Sequence, residues 1–368
     1  MIDDHCHTFG LNAQPLDLAD ISLCVGDSPP AVARRKQAGP LRAGQELMRR
    51  RLATYLKCAP EEVEAARAEA ARDWPAHVRA LLADADIDEL VFDIGSIDAD
   101  AEASVVGPYT ALTGRPVHWL ARFDPLVDRL IAAGADAGTI VAEVEEHCER
   151  AARAGCAGFK TIAAYRTGLA VRADVTLDEA QRSLAGDEPV RRRGKACRDL
   201  ALRRALGVAA RHDLPVQFHT GFGDSDLRLS GSNPLLLEDL LHTEEGTAAT
   251  VVLIHGGFPW TEELGYLALS RPNVYAELSL SNLFAPLTLA DRIVRLLDLV
   301  PADRLTIGTD GHGQPETLWF AACAVRDAWQ QAEETMTAAG IGAEWLARTR
   351  ERAFDGNARE LYVRRQPA

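Results

Sequence analysis

The sequence has no cysteine pair spaced C-x-x-C, no apolar run long enough for a membrane and no surplus of positive charge. Each absence removes a class of protein. The seven cysteines (Cys6, Cys24, Cys58, Cys148, Cys156, Cys197 and Cys323) are scattered and odd in number. That pattern excludes a disulfide scaffold and reads as reduced, mostly buried thiols of a cytoplasmic protein. No stretch approaches the roughly 20 apolar residues of a membrane span. The opening Met1-Ile2-Asp3-Asp4-His5-Cys6-His7 puts acids and imidazoles where a secretory leader needs basic and then apolar residues, so no signal peptide is expected. A formal net charge of −14 argues against a nucleic-acid surface, which needs clustered Lys and Arg. No low-complexity tract, internal repeat or interdomain linker interrupts the chain.

What remains is a chain of 368 residues, 47% hydrophobic, with a repeating rhythm. Strand-like runs end near His7, Gly95, Phe123, Ile162, His219, His255, Ser279 and Asp310. Helical patterns lie between most of them, over about 139–154, 195–212, 234–242, 315–339 and 343–354. Near-continuous apolar strands alternating with helices predict a parallel sheet. Eight such units predict a (β/α)8 TIM barrel filling residues 1–368 as one domain. Two excursions interrupt the rhythm. Residues 11–30 are turn-rich, and a helical insertion covers about 30–85, serving as a lid or as added wall. A second insertion covers about 165–212 and carries Arg191-Arg192-Arg193, read as a solvated face or helix entry.

In a strand, alternate side chains share a face, so His5 and His7 point one way and Cys6 the other. On the barrel scheme His5 and His7 end strand 1, Lys160 lies in strand 4, His219 ends strand 5, His255 ends strand 6 and Asp310 ends strand 8. The C-terminal strand ends of a barrel ring one mouth, so these residues converge. Imidazole and carboxylate suit a divalent metal, zinc first, with manganese, iron or nickel as alternatives. Beyond the strand ends stand candidate substrate contacts: Tyr165, Arg166 as a carboxylate clamp, Asp224 and Asp226 for an amine, Trp260, Ser279, Asn282 and His312. Glu277 is expected to face the barrel interior, and Asp3 and Asp4 to be polar residues at a strand start.

These positions resemble the amidohydrolase superfamily: His-x-His on strand 1, Lys on strand 4, His on strands 5 and 6, Asp on strand 8. The chain is similar to the amidohydrolase-related branch, whose barrel begins without a flanking β-sandwich. The runs Gly158–Leu169, Phe218–Asp224 and Gly356–Tyr362 resemble the barrel domain found fused to glutamine-synthetase-like domains. The resemblance implies that His5, His7 and Asp310 hold one metal and that His219 and His255 hold a second. Lys160, carbamylated by CO2, would bridge the two. In mononuclear relatives one metal sits on His5, His7, His219 and Asp310, and His255 acts as a base or stabiliser. Asp310 and His255 are then the catalytic pair.

The activity expected is hydrolysis of an amide, lactam or related C–N bond of a small polar molecule by metal-activated hydroxide. The alternative is a metal-dependent, non-oxidative decarboxylase or hydratase of an aromatic or unsaturated acid, which does not need Lys160. A barrel kept only as a binding scaffold fits the full ligand set poorly. A homodimer is expected from the resemblance alone.

Overall fold

The computed structural model describes residues 1–18, 33, 34, 37, 42–95 and 102–363. Cys24, the turn-rich run from Gly26 to Pro30 and the start of the expected insertion lie outside the described residues. Eight strands form one sheet: β1 (Ile2–His7), β2 (Glu89–Asp93), β3 (Val117–Arg122), β4 (Gly158–Thr161), β5 (Pro215–His219), β6 (Thr250–Ile254), β7 (Val274–Leu278) and β8 (Leu305–Ile307). Each pairs in parallel with the next along the chain. Backbone contacts bring the ring back on itself. Thr309 and Asp310 N–H donate to the His5 carbonyl (3.2 and 2.8 Å), and His7 N–H donates to the Gly311 carbonyl (2.8 Å). The expected (β/α)8 barrel is therefore the observed fold.

The two-residue period sorts the strand side chains. Phe92, Trp119, Ala121, Phe159, Phe218, Leu253 and Ile307 join the apolar layer shared with the surrounding helices. Val91, Leu120, Val252 and Ile254 form a separate cluster with Ile2 and with Ala358, Leu361 and Tyr362 near the end of the chain. That second cluster fills the barrel interior and closes its lower end. Continuing the same alternation upward puts Asp93 after Val91, Arg122 after Leu120 and His219 after Gln217 on the inner face. A shift in register between Asp3 and Cys6 lets β1 keep Cys6 outside, its Sγ directed at the Val91 carbonyl, with His5 and His7 inside.

Close approach fixes one glycine. Glu277 Oε1 accepts the Gly308 N–H at 2.9 Å, and a Cβ on Gly308 would stand 2.7 Å from that oxygen. Only a residue without a side chain lets β7, β8 and β1 meet there.

Among the described residues the helices of the first insertion thicken the barrel wall. Helices Ala43–Leu56, Val63–Ala70 and Trp74–Asp84 pack beside the long helix Pro315–Ala338. Tyr55 meets Trp319, and the buried Arg67 and His77 both bind Glu316. Within the second insertion, helix Leu177–Ser183 starts on a Thr176–Glu179 capping box. Helix Lys195–Arg211 then covers the outer face beside helix Ala137–Arg153. Among the described residues no helix is long and apolar enough to cross a membrane.

Candidate metal centre

At the C-terminal mouth of the barrel a cavity of about 370 Å³ is lined by His5, His7, Lys160, His219, His255 and Asp310. The ligand atoms of His5, His255 and Asp310 all lie within 4.8 Å of one another, and so do those of His5, His7 and Asp93. Two of these residues sit just past the strands that the sequence reading had them end. His255 follows β6 with φ 73°, and Asp310 lies beyond β8 with φ 52°. For residues with a Cβ this backbone is costly, and such strain concentrates where side chains must be aimed.

The hydrogen bonds around the imidazoles fix which nitrogen is free. Gln217 donates its amide to the Asp4 carbonyl and to the Tyr362 hydroxyl (both 2.8 Å), so its oxygen must accept from His5 Nδ1 at 2.7 Å. His7 Nδ1 donates to the Asp93 carbonyl at 3.0 Å. The Ser279 hydroxyl donates to Glu277 at 2.8 Å and so accepts from His255 Nδ1 at 2.7 Å. In all three rings the Nε2 lone pair is left for the centre, the arrangement metal-binding histidines adopt. His219 is different. Its Nε2 stands 3.1 Å from the Phe222 carbonyl, and it belongs to neither compact ligand group. The structure thus brings His219 to the cavity wall, its ring 4.5 Å from that of His255, but engages the nitrogen that its neighbours keep free.

Charge follows burial. Burial first, and then the charge of Lys160, push the His5 imidazole down to about 4, and burial holds His219 and His255 well below the usual range. Burial works against ionisation of Asp310 too, but the imidazoles of His255, His5 and His7 outweigh it and hold the carboxyl well below 3.8. Burial also opposes a charge on His7, yet the hydrogen bond to Asp310 and the field of Asp93 leave it raised. Lys160 is brought down to about 8 by burial, against the pull of Asp93. Asp310 Oδ1 lies 3.1 Å from His5 Nε2 and 3.3 Å from His7 Nε2. Acceptors that close need a proton or a cation among them. His5 and His255, held neutral with inward lone pairs, and an ionised Asp310 form a donor set that fits a divalent ion, which His7 joins on giving up its Nε2 proton.

The sequence model of the Amidohydrolase family matches residues 32–364. The chain belongs to the amidohydrolase family. Its members are metal-dependent, and the match begins after the His5–His7 pair, which the geometry supplies independently. Protein fluG of Emericella nidulans is 35% identical over 188 residues, 47% of this chain and 22% of that protein, so the amidohydrolase described here spans about a fifth of that relative's length. A Lactobacillus casei ATCC 334 protein, described provisionally as a metal-dependent hydrolase, has the same fold (TM-score 0.82, 24% identity, 98% of this chain and 94% of that one). A uronate isomerase of Thermotoga maritima shares the fold at 12% identity (TM-score 0.69, 99% and 94% covered).

The expected substrate contacts of this amidohydrolase divide. Tyr165, Asp224 and His312 line the cavity. The Tyr165 ring stands 4.6 Å from that of His219, and its hydroxyl accepts the Asp224 N–H. His312 stacks on Phe284. Arg166 and Trp260 are not brought there. The turn at Ala163–Tyr165 sets Arg166 on Asp128 (2.9 Å) and outside the lining of the cavity, so the structure does not bring it to where the expected carboxylate clamp would act. Trp260 precedes the helix Thr261–Ser270 and lies off the lining. Ser279 and Asn282 are buried supports: Asn282 donates to the Leu278 and Gly308 carbonyls. Asp3 and Asp4 stand at the start of β1 as expected and are fully buried, and Asp3 accepts from both N–H and hydroxyl of Thr309. Arg191, read as solvated, lines the cavity mouth with Nη1 on Asp226 (2.8 Å).

Two charged groups escaped the sequence reading: Arg122, which lines the cavity, and Asp93, fully buried beside it. Asp93 binds Arg122 and lies 3.7 Å from Lys160 Nζ. Neither carries a spacing motif; inner-face alternation from Val91 and Leu120 was the available signal.

The Gln217 contact yields a measurable expectation. Gln217→Leu leaves the volume filled but frees the His5 ring. Metal affinity should fall about 10–100-fold, read by equilibrium dialysis against zinc. Unchanged affinity would show that Gln217 does not set the tautomer of His5.

Proposed function

We propose that this amidohydrolase hydrolyses an amide or related C–N bond of a small polar molecule. The observation that carries the reading is the buried grouping of His5, His255 and an ionised Asp310 at the floor of a cavity sized for a small ligand. A divalent ion held there, zinc in the first place, supplies a Lewis acid for the substrate carbonyl and lowers the pKa of water. His5, His7 and Asp310 are the residues that would hold it, with His255 able to join them.

The chain's own groups do the rest. Asp310, kept ionised, takes a proton from water and returns it to the departing nitrogen. His255 is locked by Ser279 and Glu277 with Nε2 toward the cavity, where it stabilises the oxygen that gains charge. Tyr165 and His312 bound the space beside the reacting group. Lys160, near neutrality by burial, has the free-amine fraction needed to react with CO2, and its carbamate would add a carboxylate next to His5, 3.4 Å from the present Nζ.

Elemental analysis of protein purified with bicarbonate and without chelators, run beside an ammonia assay on a panel of small amides, tests this. We expect about two metal equivalents, falling on Lys160→Ala, and ammonia or amine release. One equivalent, unaffected by that change, removes the carbamate. CO2 release from an aromatic acid with no amide turnover replaces the hydrolase reading by the decarboxylase, which the cationic pair Lys160 and Arg122 would also serve.

A further inference from the structure

Three arginines stand near the strand ends; Arg166 lies outside the cavity lining, and Arg191 is half exposed at its mouth. Arg166 is bound to Asp128, and Arg191 to Asp226. Arg122 is the third. It is the last residue of β3, lines the cavity and is 15% exposed, so its charge is little screened. Among the described residues its guanidinium has one hydrogen-bond acceptor, Asp93, and its buried Nε has none. Asp93 is itself divided. Its Oδ1 accepts the Gly95 N–H at 3.0 Å, and Lys160 Nζ stands 3.7 Å from its Oδ2. Among the described residues Asp93 is thus the one carboxylate hydrogen-bonded to the Arg122 guanidinium, and it is shared with Gly95 N–H and approached by Lys160.

We infer that Arg122 is the anion anchor of the cavity and that the substrate carries a carboxylate, which it sets against this guanidinium. The planar fork of arginine takes a carboxylate through two parallel hydrogen bonds, which lysine cannot do. Arg122 connects to His5 through Asp93 and Lys160 in three contacts, so the carboxylate sits a few bonds from the group presented to Asp310. The substrate class is a small amide bearing a free carboxylate. The nature of the bond cleaved rests on the hydrolase reading; the anchoring does not.

Titration calorimetry of the metal-loaded protein with succinate, glutarate and adipate, against glutaramide as the neutral counterpart of glutarate, decides it. At least one dicarboxylate binds and glutaramide does not. Arg122→Lys, which keeps a cation beside Asp93, weakens that binding about 10–100-fold with an unchanged circular dichroism spectrum. If Arg122→Lys loses its fold, the double change Arg122→Gln with Asp93→Asn leaves no buried charge unpaired and gives the same readout. The inference is overturned by no binding of any dicarboxylate, by equal binding of glutaramide, by undiminished binding in Arg122→Lys, or by a loss confined to Arg191→Gln. Dicarboxylate binding through Arg122 without turnover of any amide would discard the hydrolase reading and leave the anchor standing.

Discussion

Asp310→Asn should lower turnover by about 10²–10⁴-fold while leaving the fold intact. Its side chain contacts the Nε2 atoms of His5 and His7, and Asn keeps its size. What Asn loses is the negative charge that accepts a proton and helps retain a cation. The fold should survive because the backbone bond from Asp310 N–H to the His5 carbonyl does not involve the side chain. Two further readouts separate the roles. Metal content falling in step with turnover assigns Asp310 chiefly to metal retention. Metal kept while turnover falls assigns it to proton transfer. In the metal-free variant the His7 imidazole should titrate lower than in the parent, since the hydrogen bond to Asp310 raises it; NMR titration of the ring protons reads this directly. Parent-like turnover would sink the proposed mechanism.

Glu316→Gln should cost about 3–5 kcal/mol of stability, measured by denaturant unfolding. Glu316 is fully buried near the start of the helix Pro315–Ala338. Its Oε1 takes Arg67 Nε at 2.7 Å and His77 Nε2 at 2.8 Å. Arg67 is 2% exposed and stacks on Trp74, so removing the carboxylate leaves a guanidinium charge uncompensated in the interior. The sign with pH follows from the carboxyl. Burial raises it, but His77 and Arg67 outweigh burial and set it below 4.5. A depressed folded value means that the stabilisation is present above the unfolded pKa and is lost as pH falls through the folded one. The gap between parent and variant should therefore be full at neutral pH and narrow below about 4.5. A pH-independent gap would show that shape, not charge, is what Gln fails to replace.

Much of the barrel was legible because its signals are local. Val251 to Ile254 is an apolar run of strand length, and the histidines that follow or end β1, β5 and β6 mark the mouth. What stayed hidden depended on direction. Arg122 ends β3, and Arg166 follows the end of β4 by five residues. A single turn after β4 carries Arg166 away, while simple alternation in β3 carries Arg122 inward. Composition does not encode that difference. His219 was legible as a residue of the mouth, but the carbonyl that engages its Nε2 belongs to Phe222, three residues on, and no pattern announces where a carbonyl will point. The burial of Asp3 and Asp4 was equally hidden, since paired acids at a chain start ordinarily mark surface.

The barrel floor has a consequence for the order in which the protein can be completed. His5 is made early and Tyr362 near the end of the barrel, yet the Tyr362 hydroxyl receives the Gln217 amide that orients the His5 ring. During synthesis the histidines of β1 leave the ribosome long before their orienting partner exists. A cation captured then would meet loosely held rings and exchange freely. Only when the last turn docks beneath the strands does the ligand set become rigid. Slow exchange of a metal bound there would mark a finished barrel, and clipping the chain ahead of Tyr362 should speed that exchange without touching any proposed ligand.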